Sequence, residues 1–464
     1  MCQRHTGFAV TLMVVVLASM SCSPGTGPVM VIGVDGLDWG VVLPLIRDGR
    51  MPTLEGLMKR GSFGTLSTQT PAKSPVVWTT VATGKKPSGH GILDFSRVAA
   101  NGERVLYSST DRTTKALWNI LTDSGQSTAV VGWWTTYPVE PIAGVMVAPY
   151  NTLEQTHFRQ RAGDGVVARQ VYPEAIADVV GGIVDQIDGE LPSILTTLFP
   201  AAAANDRPED AATWDACLRA LRADESVRRV TLELTRHHPV PDVVLSYFGI
   251  TDIVGHRFWR YHEPEAFRHP PAADRVRQLG DAIDRAYGHV DAVLGEVIAA
   301  MPSNTTVIVM SDHGMRAKHV DAERWVEADG RSERESGGHG SGTSALIVAA
   351  GPPIRRAAPD RPLRQLTPAD LPSIGDVSDI TPTILALRGV PIGEDMDGVV
   401  LDGLLRPGFF GGRAPASVPS HDTPEWLASR NEGEAVDLPG HEERLEQLRI
   451  LGYLDEDHDA ANSQ

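Results

Sequence analysis

The chain has 464 residues, 42% hydrophobic and 22% charged, which is enough for one large catalytic domain with insertions and has the composition of a globular protein. Its formal net charge of −17 excludes a general nucleic-acid binder, which needs a basic surface. With only Cys2, Cys22 and Cys217 in the sequence, the fold is not stapled by disulfides and must rest on its core.

The first 22 residues read as a targeting segment. Arg4 precedes an apolar run over 8–20 that is short for a membrane span. Ala18-Ser19-Met20-Ser21-Cys22 follows and resembles a bacterial lipoprotein signal, with Cys22 as the lipidated residue and an N-terminal membrane anchor as the result. An ordinary cleaved secretory signal is the alternative, and export is common to both. Residues 23–28 form a linker. The apolar run 29–34 predicts a buried strand emptying into Asp35-Gly36, and helical patterns follow over 39–47 and 53–59. Ser74-Pro75 opens a helix through 82 that Gly84 closes, with Ser74 expected at the N-cap. A helix is expected over 115–121 and a strand over 127–132.

The pattern changes over 151–238, which is mainly helical and reads as an insertion or cap. Cys217 lies in its second helical stretch and reads as a small apolar core residue. Residues 242–248 predict another buried strand. From Val276 to Val297 apolar residues advance by three or four, predicting one long amphipathic helix. A strand over 305–310 empties into Ser311-Asp312-His313-Gly314, and a strand at 344–349 and a helix at 382–387 complete the catalytic unit, 29–405. Strands alternating with helices imply a largely parallel α/β sheet covered on both faces. The tail, 406–464, carries one helix marked by Leu445, Leu448 and Leu451.

Four predicted strand ends carry metal-ligand residue types: Asp35; Asp252 with His256; Asp312 with His313; and His339 in Ser336-Gly337-Gly338-His339-Gly340. In open α/β sheets, sites collect beyond the carboxyl ends of the strands. Carboxylate with imidazole suits zinc or a similar first-row ion. Asp252 and His256 are four apart, one helical turn, and so share a face. Ser74 starts a helix, where free N–H groups and the positive dipole end face an anion. A serine oxygen bound to a metal there is an alkoxide aimed at phosphorus.

In this order, Asp35-Gly36, Ser74-Pro-Val-Val-Trp-Thr-Thr-Val-Ala-Thr-Gly84, Tyr247-Phe-Gly-Ile-Thr-Asp252-Ile-Val-Gly-His256, Ser311-Asp-His-Gly-Met315 and Gly338-His339-Gly340 resemble the type I phosphodiesterase/nucleotide pyrophosphatase family of the alkaline phosphatase superfamily. The resemblance spans about residues 29–400 and implies the superfamily's three-layer α/β/α sandwich. It also implies two divalent metal ions per chain, zinc with manganese as the alternative. One ion would sit on Asp252, His256 and His339, the other on Asp35, Asp312, His313 and the Ser74 oxygen. The implied reaction is a double displacement on a small phosphate ester through a phosphoserine.

Three positions set this chain apart within that resemblance. Ser74 stands where many members use a threonine nucleophile, and serine does the same chemistry. Tyr247 stands five before Asp252, as in the phosphodiesterase branch, where magnesium-binding alkaline phosphatases have a glutamate. After His90-Gly91-Ile92-Leu93-Asp94 comes Phe95, where nucleotide pyrophosphatases carry an asparagine that contacts phosphate. That contact passes to Lys73 or to backbone N–H groups of the Ser74 helix. Trp78 and Phe95 are expected to pack against an organic leaving group, with Tyr247 beside them, and Trp39, Trp133, Trp134 and Trp259 fall near the same segments. Diesters or pyrophosphates are expected to be better substrates than monoesters. A sulfatase is disfavoured, because Ser74-Pro75-Val76-Val77-Trp78 lacks the Pro-x-Arg spacing needed for formylglycine. A phosphomonoesterase and a non-catalytic lipoprotein that kept the fold are the competing readings, and metal content with turnover separates the latter.

Overall fold

A computed structural model describes residues 27–99, 102, 104–149, 170–204, 210–236, 240–323, 335–340 and 342–428. The lipidation candidate Cys22 and the predicted tail helix around Leu448 lie outside the described residues. No described helix is long and apolar enough to cross a membrane.

Nine strands form one sheet: β1 (Val29–Val34), β2 (Ser62–Ser67), β3 (Thr128–Val131), β4 (Gly144–Val147), β5 (Val171–Tyr172), β6 (Val243–Phe248), β7 (Thr306–Met310), β8 (Ala345–Ala350) and β9 (Ser373–Asp376), in the order β9-β2-β8-β7-β1-β6-β3-β4-β5. The five central strands β7-β1-β6-β3-β4 are parallel. β8 runs antiparallel to both neighbours, and β5 closes the other edge antiparallel to β4. The sheet is thus mixed and mostly parallel.

The period of two along β1 sends Met30, Ile32 and Val34 into one core and Val29 and Val31 into the other. The first core is covered by α1 (Trp39–Arg47), α2 (Pro52–Arg60), α5 (Ala177–Leu198), α6 (Ala211–Arg236), α7 (Ile250–His262) and α9 (Ala282–Ala299). The second is covered by α3 (Ser74–Thr83), α4 (Leu117–Asp123) and α10 (Ile380–Leu387). Helices on both faces of a mostly parallel sheet make the α/β layering read from the sequence. Cys217 is fully buried in the first core, as its apolar neighbours required.

Two expectations are corrected. The long helix over 276–297 is two helices, α8 (Ala273–Leu279) and α9, parted at Gly280. The Gly280 N–H still bonds Val276 O at 2.8 Å, but a β-carbon there would meet that oxygen at 2.5 Å and the Tyr261 carbonyl at 3.0 Å. Gly280 therefore seats the break against α7. Ser74 is the first helical residue of α3 and Lys73 the N-cap, one position from the expected start. Gly84 ends the helix as expected, at φ 69° in the left-handed region that glycine adopts freely.

Candidate active site

The carboxyl ends of β1, β6 and β7 build one floor. Gly33 of β1 pairs in register with Tyr247 of β6 and with Met310 of β7. Asp35 and Asp312 each follow two residues later, so parallel pairing at equal height sets their carboxylates side by side. Gly36 N donates to Asp312 Oδ1 at 3.3 Å, and Asp35 N to Phe248 O at 2.9 Å. His313 Nε2 stands 3.4 Å from Asp35 Oδ1 and 3.2 Å from Asp312 Oδ2.

The second wall is α7, which follows β6. Asp252 and His256 lie one turn apart, with His256 Nε2 3.3 Å from Asp252 Oδ1. The ribbon 335–340 lies against α7, since Ser336 N bonds His256 O at 2.8 Å. A side chain at Gly337 would run into the Gly255 carbonyl, at 2.2 Å, so glycine permits this backbone-on-backbone contact. The ribbon delivers His339, whose ring stacks on His313 at 3.8 Å and meets His256 edge-on at 5.4 Å.

Ligand atoms of Asp252, His256 and His339 converge within 4.8 Å of one another, and so do those of Asp35, Asp252 and His313. Asp252 stands in both groups, between the two walls. Asp312 joins through His313. The seven residues singled out from the sequence thus comprise six that the structure gathers and Ser74, whose hydroxyl is fully buried at the start of α3. Trp78, one turn after Ser74, donates its indole N–H to Asp35 Oδ2 at 3.3 Å and ties that helix end to the cluster.

Buried charge crowds this cluster. Burial first, then the neighbouring Asp35 and Asp252 charges, push the Asp312 carboxyl well above its ordinary range. Burial and then Asp252 raise Asp35. Burial acts upward on Asp252 as well, yet the charge and hydrogen bond of His256 hold it below the usual range. Burial, followed by His313 and His256, keeps His339 neutral far below its ordinary value. His256 Nδ1 donates to the Gly337 carbonyl at 3.0 Å, which leaves Nε2 as the ring nitrogen turned to Asp252 and the atom a metal ion would take in place of its proton. His313 Nδ1 likewise faces Gly314 O at 3.2 Å. Among the described residues, four buried atoms here, Asp35 Oδ1, Ser74 Oγ, Asp312 Oδ2 and His313 Nε2, find no hydrogen-bond partner. Buried polar groups are normally satisfied, and this donor set of carboxylate, imidazole and hydroxyl fits first-row divalent ions.

The structure places the predicted substrate contacts differently. Trp78 has no exposed surface; it packs edge-on against Trp133 and Tyr247 beneath Gly33. Tyr247 is buried and donates its hydroxyl to Asp35 Oδ2 at 2.5 Å. Both therefore hold Asp35 rather than offer a face to a substrate. Phe95 is also buried, edge-on to half-buried Trp134, in a small cluster with Leu106 and Tyr137. Lys73 is half-buried and paired with Asp94.

Three further residues lie against the site, and two of them carried no local signal. Asp38 caps α1 by accepting from Gly40 N at 2.6 Å and accepts from Met315 N at 3.2 Å, folding the loop after His313 against the site. Asp224 of α6 accepts from Gly249 N at 2.8 Å and Ile250 N at 3.1 Å, anchoring the start of α7. Glu335 stands 3.4 Å from His256 Nδ1. A pattern search could have marked only Asp38, two residues after an Asp-Gly turn and one before a helix.

Carboxylates, imidazoles and a buried helix-start serine at the carboxyl edge of a mostly parallel sheet are the arrangement expected of the family that the sequence resembles. The chain belongs to the type I phosphodiesterase/nucleotide pyrophosphatase family, whose sequence model matches residues 29–369, a span containing every residue of the cluster. No curated protein matches the sequence. Among solved structures, the chain is similar to murine ectonucleotide pyrophosphatase/phosphodiesterase 5, at 13% identity over 78% of this chain and 95% of that one, TM-score 0.45. It is also similar to phosphonoacetate hydrolase from Sinorhizobium meliloti (16%, 66% and 59%, TM-score 0.38) and to a 2-O GAG sulfatase (12%, 85% and 76%, TM-score 0.47).

Proposed function

We propose that this phosphodiesterase/pyrophosphatase-type hydrolase cleaves diester or pyrophosphate bonds through a phosphoserine at Ser74, with two divalent ions bound in the cluster. Asp252, His256 and His339 would hold one ion, and Asp35, Asp312, His313 and the Ser74 oxygen the other. When bound, the ions supply positive charge against the phosphoryl oxygens and lower the pKa of the serine hydroxyl. Zinc suits the donors best, and manganese is the alternative.

The chain's own part begins with Ser74 Oγ, which attacks phosphorus at the start of α3, where the helix's N-terminal N–H groups and dipole face the phosphoryl oxygens. The Oγ–P bond forms as the bond from phosphorus to the leaving oxygen breaks. Water then attacks the phosphoserine, releases the phosphate product and returns a proton to Ser74. Trp78 and Tyr247 keep Asp35 oriented throughout. Lys73, beside Ser74, supplies a cation for a non-bridging oxygen when it turns from Asp94. Tyr247, bonded to Asp35, occupies the place of the magnesium-site glutamate, so no magnesium-held charge meets the third phosphoryl oxygen of a monoester there, and this favours diesters.

The carrying observation is the set of four unsatisfied buried atoms, Asp35 Oδ1, Ser74 Oγ, Asp312 Oδ2 and His313 Nε2. The test is a side-by-side assay of the zinc-loaded protein on an aryl monoester and the matching methyl diester, with metal content measured in parallel. The expected result is two ions per chain and a higher kcat/KM on the diester. A higher kcat/KM on the monoester overturns the substrate class, and full turnover after chelation overturns the metal reading. Export, with Cys22 as a lipid anchor, belongs to the same proposal and is tested by globomycin-sensitive processing and membrane fractionation.

A further inference from the structure

Glu335 is nearly fully buried, yet its carboxylate is only half satisfied. Its Oε2 lies 2.7 Å from Lys318 Nζ and 3.4 Å from His256 Nδ1, while its Oε1 is buried and makes no hydrogen bond among the described residues. A carboxylate kept in the interior for packing or capping alone would satisfy both oxygens, because a buried unsatisfied oxygen is costly. What this carboxylate does reach is the ring of His256, on the side away from Nε2.

The three groups stand in a row. Lys318 comes from the segment just after Asp312-His313-Gly314, Glu335 from the start of the ribbon that carries His339, and His256 from α7. The Gly337 carbonyl, 3.0 Å away, already takes the Nδ1 proton. Glu335 is therefore not needed to choose the tautomer. Its effect is electrostatic: a negative charge behind Nδ1–H makes Nε2 a stronger donor, and the Lys318 ammonium on the same oxygen partly offsets that charge.

We propose that Glu335, tempered by Lys318, is a positioning residue that sets how tightly His256 holds its metal ion, leaving the other ion's site untouched. This rests on the reading of His256 as a metal ligand. Glu335→Gln keeps the shape and removes the charge, so the ring loses its carboxylate support while the Gly337 carbonyl keeps its proton. Lys318→Ala removes the offset and acts the opposite way.

The experiment is zinc competition against a chromophoric chelator on the metal-stripped full-length protein, read as two dissociation constants. Glu335→Gln should weaken one of the two by about 10–100-fold and leave the other unchanged. Lys318→Ala should tighten the same one, and Glu335→Asp should recover part of the loss. Unfolding of the metal-stripped variants should match that of the parent, which separates tuning from misfolding; should Glu335→Gln fail to fold, the Lys318→Ala tightening decides. Unchanged zinc constants in both variants overturn the inference while the metal reading stands. Absence of zinc binding by the parent protein overturns the metal reading itself, and the inference with it.

Discussion

Asp35, Asp312 and His313 stand at or just beyond the ends of adjacent parallel strands, whereas Asp252, His256 and His339 come from a helix and a glycine-rich ribbon. The first group is placed by backbone pairing: Gly33 pairs in register with Met310, and both aspartates follow at equal distance. The second is placed by tertiary contacts, namely Asp224 on the start of α7, Ser336 N on His256 O, and Gly337 against Gly255. Pairing in a buried sheet is hard to shift, because a slip of one residue turns every side chain to the wrong face. The helix, buried along nearly its whole length in the first core, and the ribbon against it are held by side-chain packing and a few bonds instead. The strand side is thus a floor set by register and the helix side a wall set by packing.

Ser74 lies outside both groups, and its loss should have the largest effect. Ser74→Ala should lower kcat by several orders of magnitude, since alanine offers no oxygen to attack phosphorus, while Ser74→Thr keeps part of the rate. Folding should be little affected. Steady-state rates with zinc-loaded protein check this, and near-parental rates for Ser74→Ala would move the nucleophile elsewhere.

The floor and the wall should differ when the metals are stripped. Asp312 has a raised folded pKa, through burial and then Asp35 and Asp252, so in metal-stripped protein it favours the protonated form. A raised carboxyl contributes stability at low pH that is lost as pH climbs above its ordinary value of 3.8. Metal-stripped parent should therefore be less resistant to urea at pH 8 than at pH 5 through this group. Asp312→Asn should flatten that slope and gain about 1 kcal/mol at pH 8, as is usual when a strained functional residue is relaxed, while losing metal. If Asp312→Asn is less stable than the parent after stripping at pH 8, the crowding argument fails.

On the wall, Asp224→Ala removes the anchor of α7 and should cost about 0.5–2 kcal/mol, the range for lost helix caps. Zinc affinity should fall at the site of Asp252 and His256 alone. Equal loss at both sites would erase the distinction between floor and wall. The smallest effect is expected for Tyr247→Phe, which leaves Asp35 Oδ2 with the Trp78 indole. A stability loss of about 0.5–1.5 kcal/mol is expected, with an activity drop under about tenfold. A hundredfold loss in kcat would give Tyr247 a direct part in the chemistry.

Much of the floor was legible, because apolar runs emptying into Asp-Gly and Asp-His-Gly are local signals of strand followed by site. The Asp252–His256 spacing was equally local. The direction of β8 was not, since its six consecutive apolar residues read the same in a parallel or antiparallel strand. The break at Gly280 depends on the Tyr261 carbonyl, a partner that periodicity does not see. Aromatics near a nucleophile fit a face for a substrate, the role that sequence position suggests for Trp78 and Phe95. The burial of Trp78 depends on Gly33, whose missing side chain makes room for its ring. Asp224 and Glu335 act only through tertiary contacts.

The equal register of β1 and β7 has a mechanical consequence. Slow twisting or bending of the sheet carries the ends of these neighbouring strands in the same direction. The Asp35–Asp312 separation rejects such motion as common-mode noise, while an element anchored outside the sheet registers it in full. A reaction that needs one short distance kept constant is well served by spanning that distance between adjacent strands of a single lattice. The hydrogen bonds linking the two strands, rather than any contact inside the site, then act as its ruler.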